Sequence, residues 1–295
     1  MPAGHGHEVS VEPLREDSQV TVVVMTRDRL PDLRRSLPRH EGPVILVDNG
    51  SRDGTPTAVR REFPHVRVVE LGENHGAGAR NIGVELACTP YIAFADDDSW
   101  WAPGALEVAA DLFDRYPRMA LLAGQVLVGP DHQLDPICLL LADSPLGTCG
   151  DLPGPNILGF LARGSVVRRA AYLDVGGFDD VVFFAGEEER LALDLASAGW
   201  GLAYVDKVVA HHHPSDSRQH HRRQVRAARN RILTTLLRRP WPVVVRAGLT
   251  AVRSGRAGRE GAWQALKRSP HALAQRRVVP AHVERARRLL DHRSG

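Results

Sequence analysis

The 295-residue chain has little cysteine, few aromatics and only two lysines, Lys207 and Lys267. Its three cysteines, Cys88, Cys138 and Cys149, are too few and too far apart for a disulfide framework and lack metal-site spacing. That usage suits a reducing cytoplasm. No stretch reaches about 18 uninterrupted apolar residues, so no membrane-spanning helix is expected. Residues 1–19 are polar and acidic, without the apolar core of a secretory signal, and read as a flexible segment.

What the chain does have is a marked separation of charge. Residues 218–295 hold 20 Lys+Arg against 3 Asp+Glu, leaving 18 basic and 32 acidic residues in the remainder. An acidic body therefore carries a basic tail. Such a tail suits a solvated helical surface, an anionic acceptor, or peripheral contact with an anionic membrane through Trp241, Val243 to Val245 and neighbouring arginines.

Strand and helix patterns alternate over the first third. Val20 to Met25, Val44 to Val47, Val66 to Val69 and Tyr91 to Ala95 are short apolar runs that read as buried strands. Leu30 to Leu37 and Ala77 to Ala87 have helical spacing. Another helix is expected after Asp53-Gly54, with Thr55 as cap and Pro56 in the first helical position. The alternation argues for an α/β fold, a mostly parallel sheet covered on both faces. Further on, Pro103 to Tyr116 and Glu187 to Ala198 read as helices, and Leu121 to Val128, Arg163 to Arg168 and Leu202 to Val205 as strands. Gly129 to Pro155 reads as a long loop or lid, which is uncommon unless functional. Residues 20–217 are read as one catalytic domain. Residues 218–295 are read as a basic, mainly helical C-terminal extension, broken near Pro240-Trp241-Pro242 and Ser254-Gly255.

Ligands in such sheets sit beyond the carboxyl ends of the strands. Asp48 and the run Asp96-Asp97-Asp98 both fall there. Three consecutive carboxylates repel one another unless a cation neutralises them, and Mg²⁺ or Mn²⁺ prefers oxygen ligands. Such an ion can stabilise a departing diphosphate. The same residues would also serve as an acidic turn or cap.

Several ordered motifs separate these readings. They are Thr26-Arg27-Asp28-Arg29, the run Asp48-Asn49-Gly50-Ser51-Arg52-Asp53-Gly54-Thr55, and Asn74-His75-Gly76-Ala77-Gly78-Ala79-Arg80-Asn81-Ile82-Gly83. The three aspartates come next, then Gly176-Gly177-Phe178-Asp179 and Gly186-Glu187-Glu188-Glu189. Over residues 20 to 213 the chain resembles family-2 glycosyltransferases of the GT-A fold. That resemblance implies a Rossmann-like mixed, mostly parallel sheet flanked by helices. It also implies an inverting, metal-dependent transfer of a sugar from a nucleoside-diphosphate donor to an acceptor hydroxyl.

The resemblance also implies roles. Thr26, Arg27, Arg29, Asp48, Asn49, Arg80, Asp96 and Asp97 would bind the nucleotide sugar, with Asp48 accepting from a base N–H. Asp96, Asp98 and His211 would hold Mn²⁺ or Mg²⁺, with His213 as a second choice of histidine. Glu188, or else Glu187, would be the general base. Glutamate stands there where the family usually has aspartate, which moves the carboxylate by about one methylene. Gly78 and Gly83 suit close helix packing. Arg222, Arg226 and Arg229 share a helical face that suits the diphosphate, an anionic acceptor or plain solvent.

The donor is expected to be UDP-, dTDP- or GDP-linked, with a hexosyl or rhamnosyl group destined for a cell-surface glycan or secondary metabolite. The chain is expected in the cytoplasm or at the inner face of its membrane. A nucleotidyltransferase would also use an acidic metal site, but Thr26 to Arg29 lacks the glycine-rich loop it needs. A non-catalytic binder of nucleotide sugar or nucleic acid is disfavoured by the complete acidic set, and no nucleic-acid partner is expected.

Overall fold

The computed structural model describes residues 18–214 and 220–293. Most of the segment 1–19, and the boundary drawn at 217/218, lie outside the described residues. In chain order the first half reads β1 (Val20–Thr26), α1 (Leu30–Ser36), β2 (Val44–Asp48), α2 (Thr55–Glu62), β3 (Arg67–Glu70), α3 (Ala79–Leu86), β4 (Tyr91–Asp96), β5 (Ser99–Trp101), α4 (Ala105–Arg115) and β6 (Met119–Val128). Then come β7 (Gln133–Leu134), α5 (Pro136–Ala142), β8 (Ser165–Arg168), α6 (Arg169–Asp174), α7 (Glu187–Ser197) and β9 (Gly201–His212). Four helices end the chain: α8 (His220–Arg238), α9 (Trp241–Arg253), α10 (Arg256–Ala274) and α11 (Ala281–Arg293).

The strands form one mixed sheet in the order β3-β2-β1-β4-β8-β6-β9-β5, with β7 on β6. The β3-β2-β1-β4 half is parallel, as the alternation of strand and helix requires. β8 then runs antiparallel to both β4 and β6. Side-chain alternation divides the core into two layers. Val22 and Val24 of β1 pack with Leu33, Val59, Leu106 and Phe113 on one face. Val23 packs on the other with Ala79, Val84, Tyr172 and Leu191. Both layers are apolar because helices cover both faces.

Local chemistry corrects several expectations. The cap of α2 is Gly54, at φ 79°, and Thr55 and Pro56 are its first helical residues. Asp53 Oδ1 accepts from Thr55 N at 3.0 Å instead. The expected long loop contains β7 and α5. Helix α5 begins on Asp135, which accepts from Ile137 N at 3.1 Å, followed by Pro136. Gly83 does serve close packing, since a Cβ there would meet Val23 Cγ1 at 2.5 Å, whereas nothing lies within 4 Å of one at Gly78.

The C-terminal helices close onto α7 and the segment before it. Leu233, Leu236, Leu237, Ala265 and Ala272 form a small core with Val181 and Val182, which precede α7. Val279 and Val283 pack on Leu193 of α7. The acidic residues of this region are used within it: Arg239 pairs with Glu284 at 2.9 Å and with Asp291 at 2.6 Å.

Candidate active site

Parallel pairing brings three strand ends to one rim. Thr26 lies opposite Asp48, and Met25 opposite Asp96. Asp48 is buried. Its Oδ1 accepts from Ser51 N at 2.9 Å, and its Oδ2 is a buried oxygen without a partner. A buried carboxylate oxygen left unpaired is costly unless a donor group fills the place. Beside it Asp28 takes a left-handed φ of 55°. It receives Arg52 N at 2.7 Å and donates its own N–H to Ser51 Oγ at 2.9 Å. That exchange holds the loop after β1 against the loop after β2. Aspartate is among the side chains that enter this region most readily, because its short polar group bonds locally. Arg27 lies 3.8 Å from Asp28 Oδ2, and Arg29 lies 3.6 Å from Asp32 Oδ2.

Asn49 faces inward. Its Nδ2 donates to Gly76 O at 3.0 Å and its Oδ1 accepts from His75 N at 2.7 Å. It ties β2 to the glycine-containing turn Gly76–Gly78. Gly76 is needed there because a Cβ would sit 2.3 Å from Phe183 O. Asn81, from the same motif, fixes the Gly176-Gly177-Phe178-Asp179 turn. Its Nδ2 donates to Phe178 O at 2.8 Å and its Oδ1 accepts from Phe178 N at 3.0 Å.

The three aspartates have three different neighbours. Asp96 Oδ1 accepts from Arg80 Nη2 at 2.5 Å. Asp97 Oδ2 accepts from Thr26 Oγ1 at 3.3 Å, and Ser36 Oγ donates to the Asp97 carbonyl at 2.7 Å. Burial, then Asp98 and Asp96, push the Asp97 carboxyl up to about 8. Asp98 Oδ1 lies 3.5 Å from His212 Nε2. Asp96, expected as a metal ligand, is thus engaged by a guanidinium, and Asp98 is the carboxylate that meets a histidine.

That histidine is not the expected one. β5 and β9 pair so that Trp100 lies opposite His211 and Ser99 opposite His212. His211 stacks on Trp100, with ring centroids 5.5 Å apart, and His213 meets the same ring at 4.7 Å. Arg39 lies 4.5 Å from the Trp100 centroid, and His132 lies 5.0 Å from His211. Trp100 therefore carries an outward platform of cationic and aromatic groups, while Trp101 is buried in the core.

Arg80 is 1 % exposed and lies between two acids, with Nη1 3.7 Å from Glu187 Oε1. Burial opposes its charge, but Asp96, Glu187 and Glu188 outweigh that and hold the guanidinium above its ordinary value. Glu187 is buried and faces Arg80. Glu188 is half-buried, and burial raises its carboxyl, opposed by its own backbone N–H and by Arg80. Glu189 turns away to Arg287 at 2.8 Å.

The segment that delivers these glutamates is held by the C-terminal helices. Phe183 and Ala185 both have φ 70°, and Gly186 has φ 93°. Phe183 O accepts from Ala77 N at 2.6 Å. Asn230 of α8, itself buried, donates through Nδ2 to both Phe184 O and Ala185 O at 2.6 Å. Arg229 Nε donates to Asn230 Oδ1 at 2.8 Å. Burial, then Arg268 and Arg226, lower Arg229 to about 10. Of the expected basic face, Arg229 thus supports this segment, while Arg222 and Arg226 are exposed. Nothing in the sequence marks the approach of His212 to Asp98 or the bonds of Asn230 to Phe184 and Ala185.

A metal ion can be tested against this donor set. Among the described residues no three acidic, cysteine or histidine side chains converge as a ready-made cage. Asp98 with His212 is a two-ligand pair at the end of the aspartate run. It fits an ion that draws its remaining ligands from substrate phosphate and water.

Comparison with known proteins gives a family. The model of Glycosyl transferase family 2 matches residues 21–172. The N-acetylglucosaminyl-diphospho-decaprenol L-rhamnosyltransferase of Mycobacterium tuberculosis is 30 % identical over 235 residues, 66 % of this chain and 76 % of that protein. Among solved structures, the Pyrobaculum calidifontis mannosyltransferase PcManGT in complex with GDP-Man and Mn²⁺ superposes with a TM-score of 0.58 at 21 % identity, over 94 % of this chain and 75 % of that one. S. aureus TarS 1–349 in complex with UDP-GlcNAc gives 0.53 at 13 % identity, over 91 % of each chain.

Proposed function

Because the chain belongs to glycosyl transferase family 2 and has the GT-A fold, we propose that it moves a hexosyl or deoxyhexosyl group from a nucleoside-diphosphate donor to an acceptor hydroxyl, with inversion and with a divalent cation. The observation that carries this reading is the common rim on which Asp48 and Asp96 end neighbouring parallel strands, with Asp98 and His212 adjoining. The buried, unpartnered Asp48 Oδ2 accepts an N–H of the nucleobase. Thr26, Arg27, Arg29 and Asp97 border the nucleoside and its ribose. Arg80 acts indirectly, by holding Asp96 and Glu187.

Asp98 and His212 would hold Mn²⁺ or Mg²⁺, which when bound neutralises charge on the diphosphate. PcManGT, which shares the fold, was solved with Mn²⁺. Glu188 takes the acceptor proton. The acceptor oxygen forms a bond to the anomeric carbon as the bond to the diphosphate oxygen breaks, and that electron pair leaves with the nucleoside diphosphate. Attack opposite the leaving group inverts the anomeric centre.

Similarity to a rhamnosyltransferase supports transfer of a deoxyhexose; the donor proposed is UDP-, dTDP- or GDP-linked, and the product a cell-surface glycan or secondary metabolite. The three free cysteines support a reaction in a reducing, cytoplasmic setting, and peripheral membrane contact through the basic C-terminal helices is part of the same proposal. The test of inversion is the anomeric configuration of the glycoside product, read by NMR and compared with that of the donor. A product with the donor's own configuration would refute a single displacement with Glu188 as base.

A further inference from the structure

Two of the C-terminal helices carry apolar side chains that the rest of the described chain leaves about half exposed. On α9, Trp241, Val245, Leu249 and Val252 recur at i, i+4, i+8 and i+11, which places them on one side of the helix. The packed side is Ala247 and Ala251. On α10, Trp263, Leu266 and Leu273 point outward, while Gly258, Gly261, Ala265 and Ala272 pack inward. These seven side chains are each between 46 and 61 % exposed, and they are seven of the thirteen large exposed hydrophobics among the described residues. The stripe differs from the one the sequence suggested, because Val243 and Val244 are half-buried.

Cations surround the apolar groups. Residues 241–277 hold eight Lys+Arg and one acid, Glu260. Arg276 lies 4.4 Å from the Trp241 ring centroid and Lys267 lies 5.4 Å from that of Trp263. No helix among the described residues is long and apolar enough to cross a membrane. Tryptophan and branched aliphatics on one side of a helix, flanked by cations, suit the boundary between headgroups and acyl chains. The excess of positive charge selects an anionic surface. A second copy laid face to face would set these cations against their like.

We propose that α9 and α10 form a docking face for the surface of an anionic phospholipid bilayer. This gives a definite surface to the membrane contact in the proposed function, and it stands independently of the donor chemistry.

The test uses the full chain and sedimentation with vesicles of phosphatidylcholine, with or without phosphatidylglycerol. Binding is expected to the phosphatidylglycerol vesicles at low salt. It should fall about tenfold or more without the anionic lipid, and likewise in the variant Trp241→Ser/Trp263→Ser. Both tryptophans are exposed, so circular dichroism of that variant should match the parent. Its release of nucleoside diphosphate in solution should also match, which keeps failure of docking separate from failure of the transferase reading. Three results would overturn the proposal. One is a parent chain that leaves phosphatidylglycerol vesicles unbound. Another is undiminished binding by the double variant. The third is light scattering that shows self-association lost in the double variant while vesicle binding stays unchanged.

Discussion

Arg80 Nη2 lies 2.5 Å from Asp96 Oδ1, so the first aspartate of the triple run is held by a buried guanidinium. The same side chain faces Glu187, while Asp98 meets His212. Removing it would leave two carboxylates without their cation. Arg80→Ala should destabilise the fold by about 3–5 kcal/mol in denaturant titration. Arg80→Lys should recover part of the loss, since it keeps charge without the fork. An Arg80→Ala protein as stable as the parent would contradict the arrangement.

His212 and His211 should separate in metal titration. His212→Ala should weaken activation by Mn²⁺ about tenfold or more, the scale of a lost ligand contact. His211→Ala removes a ring stacked on Trp100 and should leave the Mn²⁺ midpoint in place. The reverse outcome would return the ligand role to His211.

Much of this site is legible in the sequence, and the histidine shows where legibility ends. Asp48 and Asp96 can be placed because uninterrupted apolar runs end on them, and parallel strands align their carboxyl ends. The face of His212 depends on a bulge. Gly124 pairs with Val205 but Gln125 pairs with Val209, so three extra residues enter β9. An odd insertion reverses which side chains face which way. No spacing in the sequence marks it. Helix α5 has a start signal in Asp135-Pro136, but the surrounding glycines and prolines mask it and the segment reads as a loop. Asn230 lies 46 residues from Phe184 in the chain, and only the tertiary fold brings them together.

Glu188→Gln should lower the transfer rate about a hundredfold or more while donor binding persists. Burial raises the Glu188 carboxyl from its ordinary 4.5. A base works when ionised, so kcat should fall with acidification through a pKa above 4.5, and the rate should be fully present well above it. The residual rate of Glu188→Gln should lose that acid limb. An unchanged pH profile in the variant would assign the base elsewhere.

Asn230 holds the carbonyls of Phe184 and Ala185 ahead of the glutamates, and with Glu188 as base it would be a positioning residue. Asn230→Ala leaves two acceptors unpaired and should cost about 1–3 kcal/mol of stability. Beyond that, kcat should drop about tenfold with the donor KM little changed, because the base is displaced while the nucleotide pocket is intact. Equal losses in kcat and donor affinity, or none, would count against the role.

Release of nucleoside diphosphate from a panel of UDP-, dTDP- and GDP-sugars tests a donor site built on Asp98 and His212. One donor should turn over with Mn²⁺ or Mg²⁺, and chelation or Asp98→Ala should lower that rate about a hundredfold or more while the fold survives. Turnover that persists undiminished with the metal chelated, or in Asp98→Ala, would contradict it.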